Sequence, residues 1–413
     1  SKDTLQSSGS ILTGYPPTGT TMGVAGTRLP DDVRTVAERF KSAGYRTACL
    51  SRNSYVSNET GLDRGFDRFQ WLASSTIHEA GPVTLLKYLL NIRSHSAGLR
   101  ADTAKHASPF LMNEVAKGWL DDFEGGEEPF FFYLHYNEPH RPYYPPGKFI
   151  DAFAEDLEMS PREAAELAID IHYDVDRIIA EGCDLSEAEW AALRAMYDAE
   201  IAYTDHMVGR LVDYLESLDL GNTVVVVTAD HGELFGEYGL LSHKYVLHDA
   251  VTRVPMVVNG LDADLTAGEG DIVQHSDVMA TLLSVAGADP GDMAGVDLRE
   301  ESREFAVSQR GPVDFDAIVA DQPAFDPSRF RRGTLTALRT REWKYQRAED
   351  GSDLFELPDE ETDRGADHPD RREAMDELLD EWFEEHGQPR GRGEDAEFSE
   401  AVEAQLEELG YMT

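Results

Sequence analysis

Two segments of the sequence carry side chains that could do chemistry on a charged ester. TADHGE at 228–233 places Asp230 and His231 directly after an apolar stretch. A carboxylate oxygen and an imidazole nitrogen together suit Mn, Zn, Mg or Ca ions. An Asp-His-Gly at the end of a strand can also be a plain turn, so the pair alone leaves both interpretations open. TLQSSGSILTG at 4–14 begins with Thr4 before a short helical stretch. A nucleophile at a helix N-terminus gains from the positive end of the dipole, but such a residue can also be a simple cap.

Two further segments carry groups suited to an anion. HYNEPHRPYYPP at 135–146 holds His140 in a loop stiffened by prolines. Its imidazole could donate to an anionic group or protonate a leaving oxygen, or it could be structural. SHKYVLHDAVTRVP at 242–255 places Lys244 beside His243. An ammonium there could stabilise the oxygens of a sulfate or phosphate, although a surface lysine is the alternative.

Helices that alternate with apolar strands must position these segments. Helical spacing of apolar residues predicts helices over 31–43 and 186–216. Apolar runs of strand length occur at 130–136, 223–228 and 254–258. Such alternation predicts an α/β fold with a mostly parallel, doubly wound sheet. In such sheets ligands bind at the carboxyl ends of strands, where 135–146 and 228–233 begin.

The predicted secondary structure of the chain changes near residue 300. Short strand-like segments and one amphipathic helix, 371–386, follow; the strand-like segments are 304–308, 334–339, 342–347 and 353–357. We therefore predict a catalytic α/β domain over 1–300. A small C-terminal subdomain over 301–413 would contain an antiparallel sheet, a helix and an acidic tail.

The charge balance of the chain is strongly acidic. Its 79 acidic and 37 basic residues give a formal net charge of -42, and only eight of the basic residues are lysines. This pattern is typical of halophilic, haloarchaeal-type proteins. Such a field repels nucleic acid and anionic membranes. No apolar run approaches the length of a membrane span, so none is expected. Two cysteines make no disulfide framework, which favours a cytoplasmic location.

Seven ordered segments of this chain together resemble the sulfatase family of the alkaline phosphatase superfamily. The resemblance spans about 4–365; its segments are TLQSSGSILTGYPPTGTTMGV, AGYRTA with GLDRGFDRF, YLHYNEPHRPYYPP, YDAEIAYTDHMVGRLVDYLE with TADHGE, SHKYVLHDAVTRVPMVV, HSDVMATLLSVAGADP and REWKYQRAEDGSDLFELPDEETD. Seven segments in order are far more specific than any one of them.

The resemblance implies a metal-dependent ester hydrolase. One divalent ion, Ca, Mg or Mn, would be held by Asp230 and His231, with Thr4 as nucleophile and further ligand. The metal would lower the pKa of the nucleophile and neutralise charge on the substrate. His140 and Lys244 align with contacts to the substrate anion and are assigned catalytic roles.

Two neighbouring positions are added to the predicted substrate site. These are Ser8, which stands where the family has Arg or His, and His243. The substrate would be an anionic small-molecule or glycan ester. The sequence does not fix the oligomeric state.

The sequence also departs from the family pattern. Sulfatases proper use a Cys or Ser that is converted to formylglycine, a conversion not expected at Thr4. Related phosphodiesterases and phosphoglycerol transferases use threonine directly. Gln6 replaces the family's proline, and Asn53 stands near the expected Lys-x-His. The motif begins almost at Ser1, so we expect an N-terminally truncated chain that lacks the family's first strand and its metal-binding acids.

Three functions therefore remain open. The first is hydrolysis of sulfate esters. The second is phosphodiesterase or phosphoglycerol-transferase-type phosphoryl chemistry through Thr4. The third is a truncated, non-catalytic member that binds an anion or a partner.

Overall fold

The computed structural model describes residues 1–96, 106–268 and 270–410. Helices and strands alternate along most of this length, as predicted. In chain order they are α1 (Thr4–Thr13), α2 (Pro17–Thr20), α3 (Val36–Ser42), β1 (Arg46–Ser51), β2 (Arg68–Trp71), α4 (Pro82–His95), α5 (Pro109–Glu124), β3 (Phe130–His135), α6 (Pro161–Tyr173), α7 (Val175–Ala180), α8 (Glu187–Glu216), β4 (Val225–Thr228), β5 (Leu234–Phe235), β6 (Leu241–Ser242), α9 (Asp249–Thr252), β7 (Met256–Asn259), α10 (His275–Val285), β8 (Ala306–Arg310), α11 (Phe315–Asp321), β9 (Leu335–Arg339), β10 (Trp343–Ala348), β11 (Gly351–Glu356), α12 (Pro369–His386) and α13 (Glu400–Glu408).

The elements form two compact units, each built from several parts of the chain. Unit 1 consists of Ser1–Tyr45, Asn58–Phe66 and Thr223–Glu397. Unit 2 consists of Arg46–Ser57, Asp67–Asn222 and Phe398–Thr413. The boundary near residue 300 was predicted from a change in sequence character, and it stays a prediction.

Unit 2 contains the predicted parallel sheet. β1 lies in the centre and pairs in parallel with β2 and with β3. The register places Ser51, at the carboxyl end of β1, beside His135 at the end of β3. α5 supplies buried side chains such as Trp119 and Phe123 to the core that also contains Leu50 of β1. This packing fixes the end of β3, from which the loop with His140 departs.

The long helix α8 begins where the sequence predicts. The Ser186 hydroxyl accepts from the backbone N–H of Glu189, and the Glu189 carboxylate accepts from the Ser186 backbone N–H. This reciprocal pair satisfies donors that a helix start otherwise leaves unpaired. Tyr203 and Met207 of this helix are buried in the core of unit 2. Within the described residues, no helix combines the length and apolar character of a membrane span.

Unit 1 contains two further sheets that bear on the predictions. β4 pairs antiparallel with β7, whereas the sequence predicts a mostly parallel sheet. The predicted small antiparallel sheet is confirmed as four strands in the order β11-β10-β9-β8. Leu379 and Trp382 of α12 pack on it in a core with Leu338 and Tyr345.

The start of one predicted helix is wrong. The apolar spacing predicts a helix from residue 31, whereas α3 begins at Val36. Thr35 caps this helix by accepting from the backbone N–H of Glu38, whose carboxylate accepts in return from the Thr35 backbone N–H. The capping box fixes Thr35 as the N-cap, so the helix does not extend back to Val33, although the apolar spacing includes that residue.

Candidate active site

Thr4 is the first residue of a regular helix in unit 1. The Asp3 carboxylate caps α1 by accepting from the backbone N–H of Gln6 at 3.1 Å. Thr4 is almost completely buried, with a relative exposure of 2%. A hydroxyl at this position lies at the positive end of the helix dipole, which stabilises developing negative charge on its oxygen.

The TADHGE segment forms a sharp turn after β4. A Cβ atom on Gly232 would lie 2.1 Å from the carbonyl oxygen of Ala250, so the close approach of α9 requires glycine there. The Gly232 backbone N–H donates to the Val251 carbonyl at 2.8 Å. The Asp230 carboxylate accepts from the backbone N–H of His231 at 3.0 Å. The turn therefore holds the Asp230–His231 pair in one defined position.

The turn brings His231 to the Thr4 hydroxyl. The distance between Thr4 Oγ1 and His231 Nε2 is 3.3 Å. The other ring nitrogen, Nδ1, lies 2.9 Å from the Gly232 carbonyl, which can only accept, so Nδ1 carries the proton. In the neutral ring Nε2 is then an acceptor, and the Thr4 hydroxyl donates to it. This is the arrangement of a hydroxyl nucleophile with an adjacent base.

A second imidazole packs against this pair. The His243 and His231 rings are 4.2 Å apart between centroids and tilted by 40°. His243 Nδ1 lies 2.7 Å from the Glu233 carboxylate, and both side chains are buried. Glu233 thus fixes the orientation of His243, which in turn restricts the movement of His231.

Lys244 follows His243 in a strained part of the chain. Ser242 and Tyr245, on either side of the His243–Lys244 pair, both have φ of 70°. Residues with a side chain rarely adopt this conformation, and such strain clusters at functional sites. Lys244 itself is half-buried in unit 1.

Two further groups near the Asp-His turn were not singled out from the sequence. His275, the first residue of α10, lies 3.2 Å from the hydroxyl of Thr228, and burial lowers its pKa to about 4. Asp3 is the other: burial alone would raise its pKa, but the Lys2 ammonium and the Gln6 backbone N–H hold it below its usual range. Asp3 could have been found, since Asp is a preferred N-cap. No local signal links His275 to the turn.

The donors around Thr4 are of the right chemistry for a divalent cation. Asp230 Oδ2 lies 3.7 Å from His231 Nε2, which also faces Thr4 Oγ1. Carboxylate and hydroxyl oxygens with an imidazole nitrogen suit the ions that the sequence indicates. Across residues 1–96, 106–268 and 270–410, however, no group of three His, Cys, Asp or Glu side chains is arranged to hold a metal. A metal site at Asp230, His231 and Thr4 therefore stays a prediction.

Ser8 lies one turn beyond Thr4 on α1. Its side chain is fully buried, with no measurable exposure. Within the described part of the chain its hydroxyl has no hydrogen-bond partner. A buried hydroxyl without a partner is costly, and here it occurs directly behind the predicted nucleophile.

His140 lies in unit 2, where it lines a cavity of about 50 Å³. Its Nδ1 lies 2.6 Å from the Arg141 carbonyl, so that nitrogen donates and Nε2 is left as an acceptor in the neutral ring. Arg141 is buried and lies 3.0 Å from the ring of His172. Glu138 and Glu200 also line this cavity, which therefore combines imidazole, guanidinium and carboxylate groups.

Two of the carboxyl groups that line this cavity, Glu138 and Glu200, differ in their surroundings. Glu138 accepts from the backbone N–H and the hydroxyl of Ser108 at 2.7 and 2.8 Å. Glu200 is buried, and its Oε2 atom has no hydrogen-bond partner among the described residues. Burial, and then the charge of Glu138, raise the pKa of Glu200 well above its usual range. Glu200 is therefore neutral under conditions in which an ordinary glutamate is ionised.

With the fold and this geometry established, comparison with known proteins gives the class. Residues 1–288 match the sulfatase family, and the chain belongs to that family. The family and the relatives named arylsulfatase indicate a sulfuric ester hydrolase, and members of the family typically use a divalent metal.

Among curated relatives, arylsulfatase K of Canis lupus familiaris is 27% identical over 380 residues, which cover 85% of this chain and 68% of the dog protein. An uncharacterized sulfatase of Escherichia coli strain K12 is 24% identical over 62% of this chain and 52% of its own length. The ulvan-active sulfatase of Formosa agariphila is 25% identical over 84% of this chain and 64% of its own length.

Solved structures share the α/β fold. One is a protein in complex with its substrate D-glucosamine-2-N,6-O-disulfate, with a TM-score of 0.67, 18% identity, and coverage of 93% of this chain and 88% of that one. Another is the phosphonate monoester hydrolase of Agrobacterium radiobacter, with a TM-score of 0.68, 18% identity, and coverage of 93% and 87%. At this identity the likeness concerns the fold alone.

Proposed function

We propose that this chain hydrolyses sulfate esters, with Thr4 as the nucleophile and His231 as the group that accepts its proton. One observation carries the proposal: the Thr4 hydroxyl lies 3.3 Å from an imidazole nitrogen whose partner nitrogen is occupied by a backbone carbonyl. Membership of the sulfatase family supports sulfate as the group that is transferred. Formylglycine is not expected, because the residue is threonine.

The proposed reaction has two steps. Thr4 Oγ1 attacks the sulfur atom while its proton passes to His231 Nε2, and the bond from sulfur to the leaving alcohol oxygen breaks. His231 passes this proton to the leaving oxygen, which departs as the alcohol. Water then attacks the sulfur of the Thr4 ester and the bond to Oγ1 breaks. One proton of the water reaches Oγ1 through His231 and restores the hydroxyl, and hydrogen sulfate leaves and ionises to sulfate. The dipole of α1 stabilises negative charge on Oγ1. Lys244 is the cation proposed to neutralise the negative charge on the sulfate oxygens.

A divalent cation, Ca, Mg or Mn, is proposed to bind at Asp230, His231 and Thr4. With the ion bound, His231 Nε2 would be a ligand, because Nδ1 carries the proton, and Nε2 would accept the Thr4 proton only in the metal-free chain. Such an ion would lower the pKa of the Thr4 hydroxyl and neutralise charge on the ester. The incomplete set of described donors means that other groups must complete its coordination.

The remaining predicted substrate contacts stay proposals as well. His243 packs on His231 and is fixed by Glu233. Ser8 is fully buried one turn after Thr4 on α1, so its proposed role is to support the position of Thr4 and not to contact exposed parts of the substrate. For His140 of unit 2, the predicted contact to a substrate anion through Nε2 requires the doubly protonated ring, because Nδ1 already donates to the Arg141 carbonyl and Nε2 of the neutral ring is an acceptor. A cytoplasmic location stays a prediction.

A second function has its own supporting observation. Unmodified threonine is a competent nucleophile toward phosphorus, and the resemblance includes threonine-using phosphodiesterases and phosphoglycerol transferases. A protein named phosphonate monoester hydrolase shares the fold of this chain. Hydrolysis of a phosphoester through Thr4 is therefore the alternative.

Paired substrates separate the two functions. Hydrolysis of 4-nitrophenyl sulfate, 4-nitrophenyl phosphate and bis(4-nitrophenyl) phosphate would be measured at high salt with Ca, Mg or Mn added in turn. The proposal expects the highest kcat/KM for the sulfate and the loss of that activity in Thr4→Ala. Preference for a phosphoester would overturn the sulfatase proposal in favour of the alternative. Turnover of none of the three would favour a non-catalytic binding protein.

A further inference from the structure

Helix α4 of unit 2 differs in composition from the rest of this acidic chain. Asp and Glu make up 79 of 413 residues, yet Pro82–His95 contains neither. Its charged side chains are Lys87 and Arg93. Acidic side chains elsewhere keep the surface solvated, and this helix lacks them.

The solvent-facing side of α4 is apolar. Val83, Leu86, Leu89 and Leu90 are exposed at 66%, 59%, 56% and 78%. These four are among only eleven large hydrophobic side chains found exposed in the described residues, so more than a third of that set lies on one helix of fourteen residues. Contiguous apolar patches of this kind mark interaction sites, whereas single exposed side chains do not.

The exposed side chains share one face, and the opposite face is anchored. Val83, Leu86 and Leu90 have the i, i+3, i+7 spacing that places them together, with Leu89 at the flank. On the other side Tyr88 and Ile92 are buried in the core of unit 2. The helix is therefore held by its inner face, while an apolar outer face about 10 Å long, from Val83 to Leu90, remains available.

Opposite charges stand at the two ends of this face. Arg93 is exposed one turn beyond Leu90, and Glu79 is exposed on the 3-10 turn Ile77–Ala80 that leads into α4. Neither has an ion-pair partner within the described residues, whereas Lys87 is bound to Glu114 at 2.6 Å. Arg93 and Glu79 lie seven residues on either side of Leu86. An antiparallel pair of α4 helices that crosses at Leu86 would bring the Arg93 end of each helix to the turn that carries Glu79 of the partner subunit, which is the self-complementarity of a two-fold interface.

We propose that this face of α4 is the interface of a homodimer, in which two copies of α4 pack antiparallel across a two-fold axis at Leu86. Leu89 and Leu90 then contact the Val83 end of the second helix, and Arg93 faces Glu79 of the partner subunit at both ends. An isologous interface requires such self-complementarity, and packed helices lie about 8–10 Å apart.

Sedimentation velocity of the full chain tests the proposal. The wild-type chain is expected to show a concentration-dependent dimer, and Leu86→Ser with Leu90→Ser is expected to give a monomer with an unchanged circular dichroism spectrum. Phe153→Ser, which removes another exposed apolar side chain of unit 2, is the matched control and should leave the dimer intact.

A charge exchange makes the test specific for the antiparallel arrangement. At about 0.15 M salt, Arg93→Glu alone or Glu79→Arg alone should raise the dimer dissociation constant about tenfold, because each places like charges at both ends. The combination of the two should restore the wild-type value. These surface changes leave the buried face of α4 intact, so folding is preserved.

Three outcomes would overturn the proposal. The first is a wild-type chain that remains monomeric at high concentration. The second is a double charge variant no tighter than either single one. The third is binding of the monomer to phosphatidylglycerol vesicles that is lost in the Leu86→Ser, Leu90→Ser variant, which would assign the face to a lipid surface.

Discussion

The imidazoles of His231 in unit 1 and His140 in unit 2 are held in the same way but face different partners. Each ring has Nδ1 tied to a backbone carbonyl from the adjacent residue, Gly232 or Arg141. Nε2 of His231 faces a buried hydroxyl, whereas His140 lines a cavity with three carboxyl groups and two guanidinium groups. The same backbone device therefore presents an acceptor nitrogen in both units, and the surrounding groups decide its use. The arrangement at His231 suits transfer of a proton from the hydroxyl, and the arrangement at His140 suits binding of a polar group in the cavity.

The largest expected effect concerns the hydroxyl of the first cluster. Thr4→Ala should lower kcat by roughly a thousandfold or more, since no other described group takes the place of the attacking oxygen. Thr4→Ser keeps a hydroxyl and should retain a measurable part of the activity. Steady-state kinetics with thermal melts as a folding control would decide this. Activity of Thr4→Ala near the wild-type value would refute the assignment.

The second prediction concerns metal binding at the same cluster. Replacement of both Asp230→Asn and His231→Gln should abolish bound divalent metal, because it removes the carboxylate charge and the imidazole ligand together. Elemental analysis after dialysis measures the content directly, without relying on activity. His140→Gln in unit 2 is the matched control and should leave the metal content unchanged. Equal metal content in the Asp230, His231 variant would contradict the proposed site.

The third prediction separates Glu200 from Glu138, two of the carboxyl groups that line the cavity in unit 2. The raised pKa means that folded Glu200 keeps its proton where unfolded Glu200 loses it. The wild-type free energy of unfolding therefore falls as pH rises above the ordinary glutamate pKa. Glu200→Gln removes this penalty and should be more stable than wild type at pH 8, with the difference vanishing near pH 4.5.

Glu138→Gln is the contrasting variant for the same cavity. It loses a charge-assisted acceptor for Ser108 and should be less stable than wild type at pH 8 by about 1–2 kcal/mol. Urea unfolding at both pH values measures each free energy. Equal behaviour of the Glu138 and Glu200 variants would show that the two carboxyl groups do not differ as described.

The last prediction concerns a pH dependence of stability that arises in the core of unit 2. His95 packs on Phe110 at 4.3 Å and lies 3.2 Å from the Tyr203 hydroxyl, and burial lowers its pKa to about 4. Between pH 6.5 and about 4 the unfolded chain binds a proton that the folded chain does not. The free energy of unfolding therefore falls as pH is lowered through that interval. Thermal melts of His95→Gln should show a shallower decline, and an identical slope would contradict this cause.

Much of the fold follows from local patterns in the sequence. Ser186 with Glu189 predicts the start of α8 to the residue, and the apolar run at 130–136 predicts β3. The antiparallel pairing of β4 with β7 could not be predicted, since an apolar run carries no information on the direction of its partner strand. Such pairing depends on the path of the connecting chain.

The candidate site was predictable only in part. Asp230 and His231 stand out because they follow a strand, but the sequence gives no distance from Thr4, which is 227 residues away from His231. Glu233 lies within the same motif, but its role in orienting His243 depends on a hydrogen bond between side chains ten residues apart, which the motif does not reveal. His275 approaches the turn only through the packing of α10. Contacts between distant segments arise from tertiary structure, which residue types and spacing do not specify.

The most direct test of the account is a search for the covalent intermediate. The chain would be mixed with excess 4-nitrophenyl sulfate, quenched with acid within milliseconds, digested and analysed by mass spectrometry. The account predicts one sulfo group on the peptide 4–14, localised to Thr4 and absent from Thr4→Ala. Burst-phase release of 4-nitrophenol with a sulfo group on another residue, or with none on any peptide, would contradict it.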